Sequence, residues 1–193
     1  MKKRTVALLL ACMMMVGVAA GGTIAWLTAQ SKTVVNTFTI GEVSIDLTET
    51  GITDKGDGTF GKDYKVSPGA TITKDPEVTV LADSEACWLF VRVEESTNFA
   101  ALRNADKLDY DIADGWNSVD GQDGYYYREV AASDANQDFQ VLANDQVTVG
   151  NNIVNADIDG QDVTLTFSAA AIQKDGIADA AAAFAALPGA FKA

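Results

Sequence analysis

The stretch "ACWLFVRV", residues 86–93, decides the fold. Cys87, Leu89, Val91 and Val93 alternate with Trp88, Phe90, Arg92 and Glu94, and a period of two sends each set to its own face of an extended strand. The first face is wholly apolar, and the second begins apolar at Trp88 and Phe90. A strand that is apolar on both faces is central to its sheet and covered from two sides. Cys87 reads here as a small buried hydrophobe.

Other segments repeat the alternation in simpler form. Val43, Ile45 and Leu47 alternate with Ser44, Asp46 and Thr48, and Leu165 and Phe167 alternate with Thr164, Thr166 and Ser168. Each predicts a strand with one face turned to a core. Shorter candidates lie at residues 64–66, 70–73, 77–81, 108–112, 125–130 and 147–150. Asp-Gly occurs six times, and that dipeptide suits the positive-φ positions of tight hairpins. "WNSVDGQDGYYYREV" (residues 116–130) is the clearest hairpin. Pro68 and Pro76 are expected at turns or edges. Two helices are predicted. One lies in "STNFAALRNAD" (96–106), with Ser96 or Thr97 as cap and Phe99 and Leu102 facing inward. The other lies in "DGIADAAAAFAALPG" (175–189), with Ile177, Ala181, Phe184 and Leu187 on one stripe and Asp179 in its first turn. The fold class expected is all-β, an antiparallel jelly-roll-like β-sandwich with one or two short peripheral helices.

The amino terminus has a different character. Lys2, Lys3 and Arg4 precede an apolar run from Val6 to Ala20 and then small residues, the three parts of a secretory signal. Thr23 and Ala25 occupy the −3 and −1 positions of a cut after Ala25, and Trp26 and Leu27 complete the expected cleavage region. Residues 1–26 are therefore expected to be a signal peptide and residues 27–193 a single β-sandwich domain, secreted to the extracellular matrix or cell surface with no stable membrane insertion after cleavage. Two other readings stay open: a signal anchor over residues 5–27, and a lipoprotein cut at Cys12.

Composition bounds the chemistry. The net charge is −13 over 193 residues; the only charges before Leu27 are basic, so the remainder carries 11 of the 14 basic residues and all 27 acidic ones, a net of −16. Such a surface repels nucleic acid and anionic lipid, and neither is an expected partner. The absence of histidine removes the two-His zinc helix, the Ser-His-Asp triad and the Cys-His pair. Asp54, Asp57 and Asp63 form an acidic loop without the alternating ligands and closing glutamate of a calcium loop. Asp109, Asp111 and Asp114 read as an acidic outer face before they read as paired carboxylates. Tyr125, Tyr126 and Tyr127 would offer a sugar platform only if neighbours shared a face, and alternation turns the middle ring away. No catalytic residue, metal or cofactor is expected, and the chain is expected not to be an enzyme.

Gly22, Thr23, Ala25 and Trp26, followed by Asn36, Thr37, Phe38, Gly41, Val43, Ile45 and Leu47, make a glycine–small–aromatic tail leading into an "NTF" strand. This wording resembles the TasA/camelysin family of exported Gram-positive proteins, and "VSPGATITKDPEVTV" (66–80) and "LTFSAAAIQKDG" (165–176) extend the resemblance. It implies the same β-sandwich and a dedicated signal peptidase of the SipW type. It also implies either a subunit of biofilm-matrix fibres or, through the camelysin name, a metalloprotease that the histidine-free composition does not support. A strand that follows the cut so closely has nothing upstream to tie it down. Phe38, Val43, Ile45 and Leu47 are accordingly the candidate donor strand, pairing with a second copy or a homologous matrix subunit in donor-strand exchange. A secreted binding module of adhesin type is the alternative.

Overall fold

The computed structural model describes residues 42–55 and 60–192. The expected signal peptide, with Thr23, Ala25, Trp26 and Leu27, and Phe38 of the candidate donor strand lie outside the described residues. The chain runs through β1 (Ile45–Thr48), β2 (Thr53–Asp54), β3 (Phe60–Gly61), β4 (Thr71–Thr73), β5 (Glu77–Val80), β6 (Cys87–Glu95), helix α1 (Thr97–Asn104), β7 (Leu108–Asp109), β8 (Asn117–Ser118), β9 (Tyr125–Val130), β10 (Gln137–Gln140), β11 (Gln146–Val149), α2 (Asn155–Ile158), β12 (Leu165–Gln173), α3 (Ala180–Ala186) and α4 (Gly189–Lys192). It is an all-β protein with a few short helices. Its strands form sheets in the orders β1-β5-β10, β4-β11-β7 and β12-β6-β9-β8, with β2 and β3 as a ribbon. All of these pairings are antiparallel. No helix among the described residues is long and apolar enough to cross a membrane.

Strand β6 is the element that the opening stretch predicts. It lies between β12 and β9, and β12 follows it for nine residues, from Leu165 opposite Glu95 to Gln173 opposite Cys87. Cys87, Leu89, Val91 and Val93 pack with Val78 and Val80 of β5 and Val147 and Val149 of β11, so the three larger sheets share one core. On the other face Trp88 and Phe90 join Tyr125 beneath Ala183, Leu187 and Phe191 of the C-terminal helices. Burial of both faces follows from the double alternation, and α3 and α4 supply the second cover.

Local signals place the connections. Ser96 caps α1 by accepting from Phe99 N at 3.2 Å, and its hydroxyl also donates to Asp162 O at 2.9 Å, which ties the helix to the approach of β12. Phe99 and Leu102 are buried as their spacing predicts. In the β8–β9 hairpin, Gly124 has φ 77°, and a Cβ there would sit 2.5 Å from Val93 O. Only glycine fits that approach.

Three expectations are adjusted. Asp179 is the N-cap of α3 rather than a first-turn residue, accepting from Ala182 N at 2.8 Å. The cap sets the helix phase, so Ala180, Ala183 and Phe184 meet the core, and Ala181 is exposed. Residues 64–66 form no strand; the Tyr64 side chain instead donates to Glu49. Strand β10 was not expected, since Phe139 is its single apolar residue; its pairing with β5 creates it.

Truncating Leu89, which is fully buried, to alanine is expected to cost about 2–5 kcal/mol. Urea unfolding should show a lowered midpoint with an unchanged slope.

Candidate functional site

A cavity of about 700 Å³ opens between the end of β1 and the beginning of β12. Leu47 of β1, Leu165 and Phe167 of β12, Ile72 of β4 and Val147 of β11 line its apolar walls, with Phe99 of α1. Phe60 of β3 lies on it with 66% of its surface exposed, an unusual setting for a phenylalanine. Among the described residues, strands β1 and β12 each end their sheets, so each has one side without a described ladder partner. Residues of two strands that end their described sheets therefore line one groove.

Its polar end is an ion pair. Lys74 Nζ lies 2.8 Å and 3.1 Å from the two carboxylate oxygens of Glu49, and both side chains are only 12% exposed. The Tyr64 hydroxyl donates to Glu49 as well. Lys74 also stands 5.0 Å from the Phe167 ring centroid and 5.3 Å from that of Tyr64. Burial, and then the hydrogen bond and charge of Glu49, push the Tyr64 hydroxyl well above the ordinary phenol value. A pair this dry is strongly coupled, because little water competes for either charge.

Of the candidate donor strand, Val43, Ile45 and Leu47 pack against the shared core. Ile45 stands opposite Val80 and Leu47 opposite Val78, so in the single chain this part pairs with its own β5. In the acidic loop Asp57 lies outside the described residues, and Asp63 pairs with Lys55 at 3.0 Å. Asp109 accepts from Arg103 Nε at 3.3 Å. Among the described residues no three His, Cys, Asp or Glu side chains gather to hold a metal ion. Tyr125 is covered by Phe184 and Phe191, at ring distances of 5.1 Å and 5.8 Å, while Tyr126 turns to the opposite face. The three tyrosines thus make no common exposed platform.

Glu49, Tyr64 and Lys74 carried no joint signal in the sequence, being separated by 15 and 25 residues from Glu49. Lys74 was legible only as part of a turn before β5. No known protein family, curated protein or solved structure matches this chain.

Two outcomes test this description. Glu49→Gln is expected to cost about 3 kcal/mol, because it strands a buried ammonium. The double replacement Glu49→Leu with Lys74→Met should cost less than the single one, read by urea unfolding. At high pH, burial pushes the Cys87 thiol from 9.0 up to about 11, and Tyr64 and Tyr110 are raised from 10.0. Each group holds its proton in the native chain where the unfolded chain has lost it, so stability is complete below about pH 9 and falls as pH rises beyond it. Urea midpoints measured across that range should decline, and Cys87→Ala should flatten the first part of the decline.

Proposed function

We propose that this chain is an exported, non-enzymatic structural subunit of extracellular or biofilm-matrix fibres. In this reading a dedicated SipW-type signal peptidase cuts in the region of Thr23, Ala25, Trp26 and Leu27. Residues 27–193 then form one jelly-roll-like β-sandwich domain, and the donated segment carries Phe38, Val43, Ile45 and Leu47 to a second copy or a homologous matrix subunit. The observation that carries the proposal is the apolar groove lined by β1 and β12, each of which ends its sheet among the described residues. β1 is only four residues long and sits at a sheet edge, so its pairing with β5 is short enough to be exchanged between copies. The same β1–β5 ladder made between subunits joins them head to tail, and a contact that does not close gives a filament. Leu47 of the donated β1 then forms one wall of the neighbour's groove, which removes apolar surface from water. The resemblance of residues 22–47 to the TasA/camelysin family supports the same reading.

Negative-stain electron microscopy tests it with three samples: the chain beginning at Leu27, the same chain with a blocking tag on its N-terminus, and the variant Phe60→Asp. Filaments are expected from the first sample alone. The exposed Phe60 site should leave stability within about 0.5 kcal/mol of wild type, so failure of that variant to assemble would not reflect unfolding. Monodisperse particles in all three samples at high concentration would overturn the proposal.

A further inference from the structure

Arg128 carries a charge that the described protein does not answer. It lies on β9 between Tyr126 and Val130, which face the shared core. Its guanidinium carbon is 4.0 Å from the centroid of Phe139 and 5.3 Å from that of Trp116. The other two described arginines each pair with a glutamate, Arg92 with Glu94 and Arg103 with Glu95. Among the described residues Arg128 makes no hydrogen bond or ion pair, and its Nε is buried without a partner. A stranded buried donor is costly to the fold.

The guanidinium lines an open recess of about 760 Å³ together with Glu77, Asp114, Asp138, Gln140 and Asn144. The recess is firmly built. Trp116 Nε1 donates to Gln140 O at 2.8 Å, and Ala113 N donates to Val141 O at 2.9 Å. Gly115, at φ 88°, brings the backbone so close that a Cβ would stand 3.0 Å from Arg128 Nη2. Asn144, which lines the recess, and Asp145 beside it both hold left-handed backbone, at φ 56° and 53°. Uncommon backbone of this kind clusters at binding sites, where the surrounding fold maintains it.

The charges select the ligand. A simple anion would meet one guanidinium but three carboxylates, and a simple cation would meet Arg128. Neighbouring hydroxyl groups satisfy both, accepting from the planar guanidinium fork and donating to the carboxylates. We propose that this recess binds a neutral polyhydroxylated ligand, a saccharide unit, with Arg128 as the donor and Asp114, Asp138 and Glu77 as the acceptors. The site stands apart from the groove and does not rest on fibre assembly.

Saturation-transfer NMR on the purified protein tests it with methyl glucoside, methyl mannoside, N-acetylglucosamine and acetate as probes. Transfer to at least one sugar and none to acetate is expected. Arg128→Met should abolish it, and Asp114→Asn should weaken binding roughly tenfold, the loss of one hydrogen bond to a charged group. Arg128→Lys, which keeps the charge but loses the fork, serves if the methionine variant does not fold, and it should also bind the sugar more weakly. No transfer to any of the three sugars, a preference for acetate, or sugar binding that survives both Arg128 variants would overturn the proposal.

Discussion

Burial of both faces of β6 is the constraint on which the other elements depend. A strand removed from water on two sides needs a ladder on each edge and a packed layer on each face, since neither its backbone groups nor its side chains can fall back on solvent. The nine-residue pairing with β12 and the six-residue pairing with β9 answer the first need. The sheets containing β5 and β11 answer the second on one side, and α3 with α4 answers it on the other. The C-terminal helices, poor in large side chains, fit this place because Phe90 and Tyr125 bring the bulk from below while Ala183 lets the helix come close.

Closure is less complete where the sheets end. Among the described residues β1 and β12 each leave one edge without a partner, and apolar side chains line much of the space between them. Glu49, Lys74 and Tyr64 close one end of that space with a compact polar cluster. Such a cluster does not stabilise more than an apolar plug of the same size would, but it resists being half dismantled, because removing one charge strands the other. It therefore fixes one end of the groove while leaving the apolar length available.

In this acidic composition most described basic side chains meet a carboxylate. Lys174 pairs with Glu129, Lys107 with Asp157 and Arg103 with Glu95, so most positive charge is spent between neighbouring elements. Arg128 breaks this pattern at the rim where Phe139 and Trp116 meet it. In a chain with so many carboxylates, an arginine left without one marks a position where geometry, and not a lack of partners, keeps the charge open.

Periodicity determined β6, β9, β12 and the first helix, because the alternation of Cys87–Val93, the tyrosine run before Val130 and the Ser96–Phe99–Leu102 spacing are local properties that tertiary packing had no reason to override. The lack of histidine and the acidic balance are likewise properties of the composition alone. Strand β10, the phase of α3, the Glu49–Lys74–Tyr64 cluster and the unanswered Arg128 were not legible. Phe139 alone gives no period, and Glu49 and Lys74 stand 25 residues apart. Arg128 looks like any polar residue in a strand until Phe139 and Trp116 enclose it. Sequence determines which residues can face a core; only the tertiary structure decides which edges remain open and which charges meet, since both depend on groups that the chain brings together from distant positions.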